Sequence, residues 1–184
     1  MRRREVLGWV AGLGVLAGAG SVAHWGRTAG SGDEGRRDPG HDPVALVTVD
    51  APGSDEGTLV VPETGRPTLV DLFATNCAAC RDQMPALGEA HDRVGDRVTV
   101  VSVTTESERV ADDEALAGWW ADHDGRWSLA RDPTADLLVH YGTTTPTAVL
   151  FDADGRVAWE DSGRKTAAEF VENVRQVLED DADP

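Results

Sequence analysis

The chain has 184 residues and a net charge of −16, set by 33 acidic residues against 17 basic ones, of which Lys165 is the sole lysine. So large an acidic excess excludes a nucleic-acid partner, whose phosphates need basic neutralisation. The hydrophobic fraction of 40% supplies a core, and the length fits one domain of ~100–150 residues with an extension.

The first element in chain order is an address. Arg2, Arg3 and Arg4 precede Val6 to Ala23, eighteen residues without a charge. A positive stretch followed by an apolar one is the layout of an export signal, and Arg3-Arg4 before Glu5, Val6 and Leu7 is similar to the twin-arginine export pattern. Residues 1–26 are therefore expected to be an export signal, cleaved near Ser21-Val22-Ala23 or retained as a membrane anchor. Either outcome places the working domain outside the cytoplasm. Residues 27–43, rich in Gly, Asp, Arg and Pro without apolar periodicity, read as a flexible tether.

From residue 44 the pattern turns regular. The β-branched run 44-VALVTVD-50 predicts a strand, with a short one near 58-TLVV-61. The nearly continuous apolar run 68-TLVDLFA-74 predicts a strand buried on both faces. Met84, Leu87, His91 and Val94 recur at helical spacing until Gly95, and 97-RVTVVSV-103 is another strand. Helices are expected over 111–124, with Leu116, Trp119 or Trp120 and His123 inward, and over 133–142, from Pro133 to Gly142. The runs 147-TAVLFD-152 and 156-RVAWED-161, joined through Asp154-Gly155, predict a hairpin. A last helix over about 166–179 carries Phe170, Val171, Val174, Val177 and Leu178 on one stripe. Strands alternating with helices and ending on a hairpin predict one α/β domain, 44–184, around a mixed sheet.

The two cysteines of the chain, Cys77 and Cys80, stand two residues apart, where a buried strand gives way to a helix. Unpaired N–H groups and the helix dipole at that position stabilise a thiolate, which makes Cys77 the expected attacking sulfur. Cys80, three residues on, shares its helix face and reaches it to form a disulfide. A purely structural disulfide would more usefully close a long loop. A metal pair would need further ligands, and His91, His123 and His140 are scattered. Haem attachment wants a histidine after Cys80, where Arg81 stands. The motif thus points to a disulfide that opens and closes during chemistry.

With these features in this order, the chain resembles the thioredoxin superfamily, and within it the exported TlpA/ResA-like thiol–disulfide oxidoreductases. The likeness spans about 44–180 and rests on 69-LVDLFATNCAAC-80, Pro85, 97-RVTVVSVTTES-107 and 143-TTTPTAVLFDADGRV-157. It implies a thioredoxin-like fold with an N-terminal strand extension and a helical insertion between Ser107 and Gly142. It further implies a cis Pro146 against the disulfide, with the Thr145 backbone turned out to pair with a substrate peptide. Asn76 stands where relatives carry tryptophan, which bears on substrate preference. Gln83 is neutral where exported reductases often carry an acid, and Asp71 replaces their usual asparagine. The charge of Asp71 inside an apolar strand marks it as the expected proton acceptor for Cys80, against a purely local structural role. The composition, acidic with almost no lysine, is similar to that of proteins from salt-loving microbes.

Together with the leader and the scattered histidines, the resemblance leads to the expectation of an extracytoplasmic, monomeric enzyme with no cofactor and no metal beyond its dithiol. It would reduce cysteine-containing exported proteins, such as those awaiting haem or copper, with electrons from a membrane thiol reductase. A disulfide-forming oxidase of the same fold, a metallochaperone and a redox-inactive binding module are the alternatives. CxxC in place of CxxxC opposes the metallochaperone. Ala74, where a threonine would precede a peroxidatic cysteine, opposes a peroxidase of the peroxiredoxin kind.

Overall fold

The computed structural model describes residues 42–142 and 144–182. The expected export signal and most of the expected tether lie outside the described residues. Among the described residues, seven strands form one mixed sheet: β1 (Val44–Thr48), β2 (Gly57–Val61), β3 (Thr68–Phe73), β4 (Thr99–Thr104), β5 (Ser128–Arg131), β6 (Thr147–Phe151) and β7 (Val157–Ser162). Helices α1 (Ala78–Val94), α2 (Asp113–Asp122), α3 (Asp136–Tyr141) and α4 (Ala167–Asp180) are interleaved with them. None of the described helices is long and apolar enough to cross a membrane.

The strand order is β2-β1-β5-β4-β3-β6-β7. β3 runs parallel to β4 and antiparallel to β6, so it lies inside the sheet, and all six of its residues are buried. That burial accounts for its near-continuous apolar sequence. Alternate residues of β3 serve different cores. Leu69 and Phe73 pack with residues of α1, α2 and α4 on one face, whereas Val70 and Leu72 pack with Leu137 and Tyr141 of α3 on the other. By the same two-residue period, Asp71 points to the face that carries α1.

The segment 108–142, expected to be helical, also contains a strand. β5 pairs in parallel with β4 and antiparallel with β1, and so ties the N-terminal hairpin into the sheet. α3 begins at Asp136 rather than at Pro133. The Asp132 carboxylate accepts from the Thr134 hydroxyl and the Leu137 N–H, and Ala135 takes a left-handed φ of 59°, so those residues form a turn instead. In α2, Leu116 and Trp120 are fully buried, and the Trp120 indole N–H donates to the Pro52 carbonyl at 3.1 Å. Trp119 is half-buried, stacked between Phe73 and His123.

The hairpin β6–β7 closes through Asp152, whose Oδ1 accepts the N–H groups of Asp154 and Arg156. Gly155 at φ +81° supplies the left-handed residue that the turn requires. α4 opens on a capping box in which Thr166 and Glu169 satisfy each other's backbone N–H. Its stripe of Phe170, Val171, Val174 and Val177 is buried against the sheet, with Leu178 at the margin.

Candidate active site

Cys77 is the N-cap of α1, and the first turn behind it, Ala78 to Cys80, carries no acidic side chain. The positive end of the helix dipole therefore acts on the sulfur with no acidic side chain of that turn to offset it. Cys77 and Cys80 are joined in a disulfide with their Cα atoms 5.3 Å apart. The two sulfurs differ in access: Cys80 is 2% exposed, and Cys77 is half-buried with its Sγ accepting the Cys80 backbone N–H at 3.1 Å. Pro85 lies inside α1, where it removes one helical hydrogen bond without ending the helix.

The Thr145–Pro146 peptide bond is cis, and the Thr145 carbonyl oxygen lies 3.6 Å from Cys77 Sγ. This loop is held from behind. Gly163 N–H donates to the Pro146 carbonyl at 2.8 Å, and the Thr147 hydroxyl meets the Thr144 carbonyl at 2.8 Å. Thr145 is half-buried, Pro146 buried and Asn76 exposed. A second cis bond, Val61–Pro62, lies at the end of β2.

Behind the disulfide, Asp71 is 2% exposed. Its Oδ1 accepts from Gln83 Nε2 at 2.9 Å and its Oδ2 from the Ser102 hydroxyl at 3.0 Å. Burial pushes the Asp71 carboxyl up to about 7, against the two hydrogen bonds, which favour its ionised form. Gln83 is three residues beyond Cys80, so the two share a face of α1, and the helix face that touches Asp71 is the face of the shielded sulfur. Asp71 therefore meets α1 on the side that carries Cys80, the placement that a proton acceptor for the shielded sulfur would need.

The redoxin family model matches residues 47–178. The chain belongs to the redoxin family. Among curated relatives of this redoxin, thiol-disulfide oxidoreductase ResA of Bacillus thuringiensis is 23% identical over 115 residues, or 61% of this chain and 64% of the relative. The thiol:disulfide interchange protein DsbE of Xylella fastidiosa is 29% identical over 119 residues, or 63% of this chain and 57% of the relative. The match therefore spans less than two thirds of the curated relatives' own length. StoA of Bacillus subtilis superposes with a TM-score of 0.61 at 18% identity, over 72% of this chain and 96% of that one. A thiol:disulfide interchange protein of Chlorobium tepidum gives 0.63 at 21% identity, over 79% and 99%. These likenesses show the thioredoxin-like fold.

Three groups at the site of this redoxin escape sequence reading. Gln83 is noticed in the sequence for being neutral, whereas the structure buries it as the partner of Asp71. Glu106, in the loop after β4, accepts the Thr75 N–H at 2.8 Å and the Thr75 hydroxyl at 2.9 Å, and so fixes the backbone that delivers Cys77. Arg131 anchors that loop in turn by donating to the Glu106 carbonyl at 2.7 Å. The run TES after β4 is the sequence signal for Glu106. Its partner Thr75, 31 residues earlier, has none.

Proposed function

We propose that the protein is an exported thiol–disulfide oxidoreductase that works in the reducing direction on cysteine-containing exported proteins. The observation that carries this reading is the Cys77–Cys80 pair, with its accessible sulfur at a helix N-terminus beside the cis Pro146 loop and its shielded sulfur on the helix face whose Gln83 bonds the buried Asp71. In the reduced enzyme the Cys77 thiolate attacks one sulfur of a substrate disulfide, forms a mixed disulfide and expels the first substrate thiolate. The Cys80 thiol then passes its proton to the Asp71 carboxylate and attacks Cys77 Sγ, which expels the second substrate thiolate. The substrate gains two electrons and the enzyme dithiol becomes the disulfide.

A membrane thiol reductase then restores the dithiol, and the leader in residues 1–26 brings the domain, as a secreted or tethered monomer, to that side of the membrane. Thr145 and Pro146 form the docking edge for an extended substrate segment, and Asn76 offers a polar contact there. Proteins awaiting haem or metal at their cysteines are the proposed substrates.

A Cys80→Ser variant is expected to accumulate mixed disulfides with exported proteins, while Cys77→Ser accumulates none. The wild-type dithiol is expected to reduce insulin and to have a potential nearer the thioredoxin value of ~−270 mV than the ~−120 mV of a strong oxidant. A potential near the second value would make the protein an oxidase, and trapping on Cys77→Ser would reverse the two roles.

The acid-rich surface is proposed to suit a salt-rich medium. Residues 28–184 hold 13 basic and 32 acidic residues, so the domain without its leader carries 13 − 32 = −19. Their repulsion extends over ~30 Å at 0.01 M salt and ~3 Å at 1 M. The melting temperature should therefore rise with salt across that range, and a flat response removes the proposal.

A further inference from the structure

Hydrogen bonds around Asp71 have a direction, and two groups outside the carboxyl set it. The Trp127 indole N–H, which can only donate, points at Ser102 Oγ at 3.0 Å. Ser102 has one hydrogen, and with that lone pair already occupied its hydroxyl is aimed at Asp71 Oδ2, 3.0 Å away. On the other side the Lys165 backbone N–H donates to Gln83 Oε1 at 2.8 Å. That bond decides which end of the Gln83 amide is nitrogen and turns Nε2 toward Asp71 Oδ1.

We propose that Trp127 is a positioning residue for proton transfer at the dithiol: through Ser102 it keeps a hydrogen aimed at Asp71 and so sets how readily that carboxyl takes the proton of Cys80. This rests on the proposed role of Asp71. Trp127 is 2% exposed and packs edge-on against Trp120, with ring centroids 4.9 Å apart, so its indole is held in place. The groups that act on Asp71 are neutral. α1 brings Gln83 to it and carries Cys80 on the same face, β4 brings Ser102, and β6 places Ala148 opposite. The Lys165 ammonium is turned elsewhere, to the Ser162 and Gly163 carbonyls and the Asp161 carboxylate. His91, whose ring centroid is 5.8 Å from that of Trp127, is the nearby titrating ring to control for.

Without the indole donor, the Ser102 hydroxyl loses the polarisation that strengthens its bond to the ionised carboxylate and can also turn its hydrogen away from Asp71, so the ionised form loses support. Trp127→Phe keeps an aromatic ring and removes that donor. In the reduced full-length protein, the carboxyl carbon resonance of Asp71 should then titrate higher, by up to about one pH unit, the scale of one neutral hydrogen bond. The pH midpoint of the resolving step should move with it. In an Asp71→Asn background, Trp127→Phe should leave the pH profile of that step unchanged.

A second measurement needs no change at Trp127. The indole N–H resonance of the wild type should titrate with the Asp71 midpoint and stop doing so in Asp71→Asn, whereas an effect of His91 would persist there. An Asp71 midpoint unmoved by Trp127→Phe, or an indole resonance indifferent to Asp71→Asn, overturns the proposal. If Asp71→Asn resolves mixed disulfides at the wild-type rate while both resonances behave as expected, the network stands and the proton-transfer role of Asp71 falls.

Discussion

Replacing Asp71 with Asn should slow release of substrate from the mixed disulfide by ~10²–10⁴-fold near pH 7, the usual scale of general-base assistance. The carboxyl is poised for this by burial, which lifts it to about 7, so near neutrality both its acidic and its basic form are populated. Asparagine cannot accept the Cys80 proton, yet it fits the same space. Its carbonyl oxygen can take the Gln83 hydrogen bond, and its amide can donate to the remaining lone pair of Ser102 Oγ.

The first chemical step should be unaffected by this change. The Cys77 sulfur already receives the helix N-terminus and the Cys80 N–H at 3.1 Å, and neither depends on Asp71. The variant should therefore form mixed disulfide at the normal rate and accumulate it. Its deficit should shrink as pH rises toward the thiol pKa and Cys80 ionises unaided. Below pH 7 the wild type should itself slow, about tenfold per pH unit, as Asp71 becomes protonated. Single-turnover kinetics from pH 6 to 9, with the two steps followed separately, test all of this. Equal resolving rates in both proteins would leave Asp71 a structural residue.

The dithiol and its setting are legible in the sequence because they are local. A buried apolar run, two thiols one turn apart and a helix stop at Gly95 lie within 28 consecutive residues, 68–95. The hairpin β6–β7 is legible for the same reason, since Asp152 and Gly155 settle its turn by themselves. What stays hidden depends on distant partners. β5 is four residues long, too short to show alternation, and exists as a strand because β4 and β1 pair with its two edges. The surroundings of Asp71 are hidden likewise: Gln83 comes from a helix, Ser102 from the parallel neighbour strand and Trp127 from the turn before β5. Each reads in sequence as an ordinary helix, strand or core residue. The charge of Asp71 alone betrays the site, because nothing in a strand buried on both faces calls for a carboxylate.

The same burial should make the oxidised protein less stable as pH rises through the weakly acidic range. Asp71 has an ordinary value of 3.8 and a folded value of about 7, so between those limits the folded chain binds a proton that the unfolded chain has released. Unfolding then releases a proton, and stability falls as pH rises. Below about pH 4 both states are protonated and the residue contributes no penalty. Above pH 7 both are ionised and the penalty is complete. Three pH units at ~1.4 kcal/mol each put it at roughly 4 kcal/mol, a large share of the ~5–15 kcal/mol that holds a typical domain. Asp71→Asn carries no such charge and should be more stable than the wild type above pH 7 by an amount of that order, with the two converging toward pH 4. The contrast with the wild type matters, because the many surface carboxylates titrate in both proteins and cancel in the difference. Denaturant unfolding of the two oxidised proteins at pH 4, 5.5, 7 and 8 measures it. A stability difference that stays constant across that range would show that Asp71 does not hold its proton to neutrality, and would remove the physical basis for its acting as the base toward Cys80.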